Sequence, residues 1–230
     1  MRDYSRGVRD GLPVGLGYFS VSFAFGVAAA QAGLPVFAAV VISMTNLTSA
    51  GQLAGLSVIA AGGSWFEMAL TQLVINLRYA LMSVSLSQKL DQKVTTLDRF
   101  LMAFGNTDEL FAIASGCPGS ITAPYFYGLM TLPWLCWSGG TLLGASASRI
   151  LPAAVLSALG VAIYGMFIAI LVPAARRSGA VAAVVAVAVA LSCCFSWIPL
   201  FQRVSGGFAI ILCAVAAAAV GALIRPVEDA

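Results

Sequence analysis

Three charged residues, Arg78, Asp108 and Glu109, lie inside stretches that are otherwise apolar. Arg78 precedes Lys89 by about three helical turns, and Asp108 follows Asp98 by about the same distance. The loop between Lys89 and Asp98 is long enough only for a turn, so the two flanking helices are expected to be antiparallel neighbours. Arg78 and Asp108 would then both lie about 15–17 Å from that loop, at 1.5 Å per helical residue, which is close to the middle of a membrane.

The residue types at this depth suit the binding of a zwitterion. An isolated arginine in the middle of a membrane costs roughly 2.5–3.5 kcal/mol, so such a residue faces a partner or a wet cavity. An ion pair between Arg78 and Asp108 that locks two helices is one interpretation, but Glu109 then leaves a second carboxylate. A guanidinium complements a carboxylate, and a carboxylate complements an ammonium group. We therefore expect Arg78 to hold the carboxylate of a substrate, and Asp108 or Glu109 to hold its amino group or a coupling proton.

A second polar cluster, TNLTSAGQ at residues 45–52, interrupts an apolar stretch. Six of its eight residues are Thr, Asn, Ser, Gly or Gln, and each unsatisfied polar group in lipid costs several kcal/mol. The cluster is typical either of interhelical hydrogen bonds with close packing at Gly51, or of a discontinuous or re-entrant helix that faces a cavity. In the second case, hydrogen bonds to the substrate are expected from Asn46, Ser49 and Gln52.

The composition predicts that membrane helices position these residues. Hydrophobic residues make up 60% of the 230 residues and charged residues 9%, whereas a soluble domain carries about 25% charged residues. The mean hydropathy is +0.97. Apolar segments lie at about 12–32, 35–61, 64–87, 99–116, 121–147, 151–173, 179–199 and 205–224. We predict one all-α polytopic membrane domain over residues 1–230, with seven or eight hydrophobic helical segments and a discontinuous or re-entrant helix around residues 45–52.

Basic residues predict part of the topology. The N-terminal apolar segment is too long for a signal-peptide core, so we expect a retained first span. Arg2, Arg6 and Arg9 place its N-terminus in the cytoplasm, and the basic loop at 87–99 is expected on the same side. Three full crossings between them would put that loop outside, and the conflict disappears if 35–61 turns back without crossing. The topology of the C-terminal third stays open.

Absent residues and motifs limit the function classes. The chain has no histidine, which excludes His-ligated metal sites and Ser–His or Cys–His catalytic pairs. Its five cysteines form no C-x-x-C pair, and no G-x-x-x-x-G-K-[ST] loop is present for ATP hydrolysis. An intramembrane enzyme is therefore disfavoured, and no cofactor is expected. The net charge of +3 lies mostly at loop ends and relates to topology rather than to nucleic acid.

Residues near segment ends are expected at the membrane interfaces or in helix packing. Glu67 lies near the start of its span and is expected at an interface. Candidate aromatic belt residues are Trp65, Trp134, Trp137 and Trp197. Gly140 and Gly144 are expected to allow close contact between helices.

Several of these stretches together resemble a known family. SMTNLTSAGQLAGLSVIAAGGS, INLRYALMSVSL and GNTDELFA, followed by WSGGTLLGA and LGVAIYGMFIAILVPA, are similar to the AzlC-type permeases implicated in branched-chain amino acid export. The resemblance covers about residues 8–175. It implies a transporter of leucine, isoleucine, valine or related compounds in the bacterial cytoplasmic (inner) membrane. It also implies a small hydrophobic AzlD-type membrane subunit as a partner, encoded separately.

The family's motifs fall on the polar positions already singled out. The resemblance places the N-L-R motif on Asn76, Leu77 and Arg78, the T-D-E motif on Thr107, Asp108 and Glu109, and the small-residue-Gly-Gln motif on Ala50, Gly51 and Gln52. Many members have histidine after the arginine of N-L-R, whereas this chain has Tyr79. A mechanism that moves protons through that histidine is therefore not expected here.

We expect a secondary transporter that exports branched-chain or similar small apolar amino acids, with proton antiport as its coupling. The alternatives are a passive channel or facilitator, whose flux follows only the substrate gradient, and an accessory subunit of a transport complex. The sequence also leaves open whether the protein forms a homo-oligomer.

Overall fold

The computed structural model describes residues 2–148, 150–152, 154–155, 168, 171–173, 175–199 and 201–224. Nine α-helices within these ranges are α1 (Arg2–Gln31), α2 (Val36–Thr45), α3 (Ser49–Ala60), α4 (Trp65–Ser87), α5 (Thr96–Phe104), α6 (Asp108–Gly116), α7 (Ala123–Ala147), α8 (Gly179–Trp197) and α9 (Gly206–Ile224). A short 3-10 turn, Phe201–Arg203, precedes α9. The structure is thus all-α over the described residues.

Four of the described helices, α1, α4, α8 and α9, are long and apolar enough to cross a membrane. This agrees with the predicted all-α membrane protein. Most residues of the predicted segment at 151–173 lie outside the described residues, so the number of segments stays a prediction.

The described residues form two compact units. The first unit contains α1, α2, α3 to Gln52, α4 from Asn76, α5, α6 and α7. The second contains α3 from Leu53, α4 to Ile75, α8 and α9. The single domain expected over 1–230 stays a prediction.

The first unit is built on a close contact between α1 and α7. The two helices run parallel, because the Tyr4 carbonyl faces Gly128 near their starts and the Phe23 carbonyl faces Gly144 near their ends. A Cβ at either glycine would overlap the facing carbonyl oxygen, so the backbones approach this closely only because glycine lacks a side chain. The predicted small-residue pair Gly140 and Gly144 lies in this contact.

The helices α5 and α6 form a hairpin. The chain enters the hairpin before α5 and leaves it after α6 at the same end of the first unit. A parallel bridge joins Leu90, before α5, to Ile121, after α6. The amide of Asp91 donates to the Ile121 carbonyl at 2.9 Å, and that of Ile121 donates to the Lys89 carbonyl at 2.8 Å. The Lys89 ammonium also donates to the Cys117 carbonyl. These contacts hold the two ends of the hairpin together.

The start of α1 lies at that same end. The Thr122 hydroxyl donates to Asp3 at 3.0 Å, and the Tyr125 hydroxyl donates to Asp10 at 3.0 Å. The first unit therefore gathers the N-terminal end of α1, the basic loop after α4 and both ends of the hairpin on one side.

The sequence predicted one uninterrupted segment at 99–116, and the structure corrects this. Residues Gly105–Thr107 are not helical and separate α5 from α6. Glycine and asparagine are weak helix formers, and threonine favours the N-cap position, so this tripeptide ends one helix and begins the next. Gly105 also packs directly against the Met130 side chain, which would have to shift to make room for a larger residue.

Candidate functional site

The first interruption separates α2 from α3 at residues 46–48. The Asn46 side-chain oxygen accepts the Thr48 amide at 3.3 Å, and the Thr48 hydroxyl accepts the Gly51 amide at 3.2 Å, which caps the start of α3. The Gln52 amide group donates to the Asn46 carbonyl at 2.7 Å and to the Ser43 hydroxyl at 3.2 Å. Gln52 therefore ties α3 back to the end of α2 and fixes the shape of the interruption.

The second interruption, at Gly105–Thr107, is anchored to α1 by Tyr18. The Tyr18 hydroxyl lies 2.6 Å from the Thr107 hydroxyl and 2.5 Å from Oε2 of Glu109, and it donates its single proton to one of the two. The Tyr18 ring meets the Trp137 ring edge-on, with centroids 5.1 Å apart. Sequence reasoning did not find Tyr18, whose only signal is a tyrosine inside an apolar span.

A cavity of about 220 Å³ lies between the two interruptions. This is more than ten times the roughly 10–15 Å³ that one water molecule requires. The lining residues are Asn46, Leu47, Thr48, Asn76, Tyr79, Ala103, Phe104, Asn106 and Thr107. Among these described residues none is Asp, Glu, Lys or Arg, so the cavity is polar but uncharged, with an apolar side at Leu47, Ala103 and Phe104.

Asn106 is the most informative lining residue. It is only 3% exposed, and its amide nitrogen donates to the Ser83 hydroxyl at 3.0 Å. Its side-chain oxygen has no hydrogen-bond partner among the described residues. Because buried polar atoms are nearly always paired, this oxygen is an exception within the interior of the first unit. Asn106 was missed in the sequence, although it directly precedes the T-D-E motif.

Arg78 and Asp108 form the ion pair that counting from the shared loop had suggested. Nη1 of Arg78 lies 2.9 Å from Oδ2 of Asp108, and the two side chains are 48% and 43% exposed. Arg78 also donates to the Tyr79 hydroxyl at 3.1 Å and lies over its ring at 4.9 Å. Neither charged residue lines the cavity, but their neighbours Tyr79 and Thr107 do. A direct contact of Arg78 with a substrate carboxylate in the cavity therefore requires its side chain to move.

The eight predicted substrate-binding residues all lie in the first unit. Asn46 and Asn76 line the cavity. Ser49 is the first residue of α3, where Gly51 and Gln52 make the hydrogen bonds described above. The remaining three, on α4 and α6, are Arg78, Asp108 and Glu109.

The expectation that Trp137 lies at a membrane interface is wrong. Trp137 is 2% exposed and packs against Tyr18, because the glycine contact between α1 and α7 leaves its ring inside the unit. Glu67, in the second unit, is 5% exposed. Its Oε1 accepts the Ser205 hydroxyl at 2.5 Å and the Gly207 amide at 2.9 Å, at the start of α9. A helix N-terminus stabilises such a carboxylate, which explains why it is buried.

The described residues hold no group of three or more Cys, Asp or Glu side chains placed to bind a metal ion. The site therefore consists of hydrogen-bonding groups, helix ends and one ion pair.

The fold and the site define an all-α membrane protein with a polar cavity between two interrupted helices. A family model described as AzlC protein matches residues 13–151, more than half of the chain. The chain belongs to the AzlC family, as its motifs had suggested.

Two relatives support this membership. The chain is 31% identical over 181 residues to the inner membrane protein YgaZ of Escherichia coli (strain K12), an alignment that covers 76% of this chain and 74% of YgaZ. It is 30% identical over 191 residues to an uncharacterized membrane protein of Archaeoglobus fulgidus, with 82% and 84% of the two chains covered. No solved structure matches the chain.

Proposed function

We propose that this protein is a secondary transporter that exports branched-chain or similar small apolar amino acids across the cytoplasmic membrane. The observation that carries the proposal is the uncharged polar cavity between two helix interruptions in a member of the AzlC family. Non-helical backbone at membrane depth is tolerated where it lines a cavity or is buried in protein, and transporters bind their substrates at such places.

The lengths of the interrupted helices support a site near the middle of the membrane. α5 and α6 have 9 residues each and α2 has 10, so each is about 13–15 Å long, or half of a hydrocarbon core about 30 Å thick. We infer that α5 and α6 enter from one side and return to it. α2 begins beyond the far end of α1 and reaches Tyr18 and Trp137 through Leu47. It thus enters from the opposite side.

The same contacts support the proposal that 35–61 turns back without crossing. The start of α1 and the loop after α4 lie at one end of the first unit, as the hydrogen bonds of Asp3 and Lys89 require. We propose that α1 and α4 cross the membrane in opposite directions, so that the segment between them begins and ends on the other side. The basic residues at the shared end, including Arg6 and Lys89, favour the cytoplasm for that end.

The pair of Arg78 and Asp108 provides a mechanism for proton antiport. With Asp108 ionised, the pair has no net charge, and the neighbouring cavity accepts a zwitterion. When Asp108 binds a proton, Arg78 keeps its charge and repels the ammonium group of the substrate. Bound proton and bound amino acid therefore oppose each other, which is the condition for exchanging one for the other.

A passive facilitator with the same polar lining is the alternative, and it differs in ignoring the proton gradient. We also propose a small hydrophobic AzlD-type membrane subunit as a partner, on the strength of the family alone. If that partner carries the transport path, the chain is an accessory subunit.

The test is the efflux of labelled leucine, valine and methionine from preloaded proteoliposomes, with and without the partner and with and without an imposed pH gradient. We expect saturable efflux that the inward proton gradient accelerates and that Arg78→Ala abolishes. Efflux that ignores the gradient would support the facilitator. No efflux of any of the three, even with the partner, would overturn the proposed substrate class.

A further inference from the structure

Tyr79 contacts the charged pair and also lines the cavity. Nη2 of Arg78 donates to the Tyr79 hydroxyl at 3.1 Å, and the guanidinium lies 4.9 Å from the centroid of the Tyr79 ring. This hydrogen bond is exposed, so the hydroxyl is not sealed inside the first unit. Arg78 itself is not among the lining residues. Tyr79 is therefore the residue through which Arg78 can act on a ligand in the cavity.

The hydrogen bond from Arg78 determines what the Tyr79 hydroxyl can do. A guanidinium only donates, so the phenolic oxygen accepts and its own proton is left for another acceptor. Hydrogen bonds in a chain polarise one another, which makes a hydroxyl that accepts from a cation a stronger donor. Hydrogen bonds to ionised groups are roughly twice as strong as those between neutral groups. The Tyr79 hydroxyl is therefore a donor suited to a carboxylate.

The surroundings of Tyr79 favour a ligand without net charge. Asp108 neutralises Arg78 at 2.9 Å, and no described lining residue is charged. Asn76 lies three residues before Tyr79, on the same face of α4, and it also lines the cavity. α4 thus presents a polar but uncharged face, on which a carboxylate is accepted when the ligand carries a compensating ammonium group.

We propose that Tyr79 binds the carboxylate of the substrate and that Arg78 is a positioning residue that acts on this carboxylate through Tyr79. The Tyr79 hydroxyl donates to a carboxylate oxygen while its own oxygen accepts from Arg78. Arg78 then stays paired with Asp108 when the substrate binds. The inference rests on the proposed function for the choice of an amino acid. It adds a binding residue at the position where this chain has tyrosine in place of the histidine of many family members.

Calorimetric binding to the purified full-length protein tests the contact with two probes. L-leucinol keeps the ammonium group and the side chain of L-leucine but has a hydroxymethyl group in place of the carboxylate. We expect the wild-type chain to prefer leucine at least about tenfold. Tyr79→Phe should lose about tenfold or more in leucine affinity but bind leucinol within about threefold of the wild-type chain. Unchanged leucine binding by a folded Tyr79→Phe protein, or an equal loss for both probes, would overturn the proposal.

A third probe identifies the group that Tyr79 contacts. 4-Methylpentanoate keeps the carboxylate but lacks the ammonium group, and it should bind more weakly than leucine because the neutral pair of Arg78 and Asp108 gives an anion no counter-charge. Tyr79→Phe should weaken its binding by about the same factor as that of leucine. A loss confined to leucine would assign Tyr79 to the ammonium group and overturn the proposal.

The matched control is Tyr4→Phe. It removes a tyrosine hydroxyl from the same unit, where that group makes one exposed hydrogen bond to Thr131 and does not line the cavity. Its leucine affinity should stay within about threefold of the wild-type value. A loss as large as that of Tyr79→Phe would show that the effect is not specific to the cavity.

The positioning role of Arg78 is tested in the neutral background Arg78→Gln with Asp108→Asn. The guanidinium is absent there, so adding Tyr79→Phe should cost at most about threefold in leucine affinity, against about tenfold or more in the wild-type chain. An equal cost in both backgrounds would show that Tyr79 acts without Arg78 and would overturn this part of the proposal.

These results separate the inference from the proposed function. If Tyr79→Phe fails to fold, the wild-type chain still decides, because equal binding of leucine and leucinol would exclude a bound carboxylate. Leucine binding that depends on Tyr79 without any efflux would retain the site and overturn the exporter. Efflux by a Tyr79→Phe protein with unchanged leucine affinity would retain the exporter and overturn the site.

Discussion

The guanidinium of Arg78 and the carboxylate of Asp108 lie 2.9 Å apart, although they belong to different helices. Each residue is adjacent in sequence to a residue that lines the cavity, Tyr79 or Thr107. The pair keeps the neighbourhood of the site neutral while leaving both side chains about half exposed. Its position beside the cavity suits a switch, because protonation of Asp108 would leave the charge of Arg78 uncompensated next to Tyr79 and the cavity. Substitutions that remove these charges therefore test the proposed role of the pair in proton coupling.

Removing one charge of this pair should weaken leucine binding. Removing both charges should restore leucine binding but abolish the response of efflux to a pH gradient. Asp108→Asn leaves Arg78 unpaired and should weaken leucine binding about tenfold or more. The double variant Arg78→Gln with Asp108→Asn is neutral again and should recover leucine exchange, yet its efflux should no longer respond to a pH gradient. The measurement is leucine counterflow compared with gradient-driven efflux in proteoliposomes. A double variant that still responds to the gradient would remove Asp108 from the coupling mechanism.

Tyr18 should stabilise the second interruption through its hydroxyl. Tyr18→Phe keeps the contact with Trp137 but removes the hydrogen bond to Thr107 or Glu109, and we expect a loss of about 1.5–3 kcal/mol in the free energy of unfolding. Thermal unfolding in detergent checks this. The control is Tyr4→Phe, because the Tyr4 hydroxyl makes one exposed bond to Thr131. Equal effects of the two substitutions would mean that the Tyr18 hydroxyl has no special role.

The contact between α1 and α7 should tolerate no side chain at its closest points. Gly144→Ala places a methyl group against the Phe23 carbonyl and should lower stability by at least about 1–3 kcal/mol, with loss of monodisperse protein. Gly139→Ala on the same helix meets no atom within 4 Å and should be neutral. Size-exclusion profiles and unfolding temperatures distinguish the two. A stable Gly144→Ala protein would show that the helices separate without penalty.

In the second unit, the carboxylate of Glu67 should matter through its oxygen acceptors. Glu67→Ala leaves the Ser205 hydroxyl and the Gly207 amide without an acceptor and should cost about 1–3 kcal/mol. Glu67→Gln retains an oxygen acceptor and should cost less. Unfolding temperatures of the two variants provide the comparison. The reverse order would indicate that the charge, rather than the hydrogen bonds, holds α9.

The sequence predicted the helical class and the matching depth of Arg78 and Asp108 for physical reasons that the structure supports, but it left open whether the two residues pair. Hydropathy locates apolar segments, and the distance of Arg78 and Asp108 from a shared loop depends only on helical rise. The two distances from the loop match even though α5 and α6 form a hairpin. This is because α5 alone spans the distance from the loop to the interruption before Asp108.

The remaining features depend on tertiary contacts. The apolar run at 99–116 hides the interruption at Gly105–Thr107, since hydropathy does not register three non-helical residues. The hairpin follows from the pairing of Leu90 with Ile121, and one chain's composition carries no signal for such a pairing. The burial of Trp137 was missed because α7 is apolar on all sides, so its pattern does not identify the face that meets α1.

The central claim is that the amino acid occupies the cavity between the two interruptions. Thiol labelling tests this most directly, with a single cysteine introduced as Ala103→Cys in a variant without the five native cysteines. A water-soluble thiol reagent should label this position, and leucine should slow the labelling in a saturable manner, whereas 4-methylpentanoate should protect poorly. A matched single cysteine at Gly139, away from the cavity, should show no protection by leucine. If Ala103→Cys is labelled at the same rate with and without saturating leucine, although the protein still transports it, the substrate does not bind in this cavity.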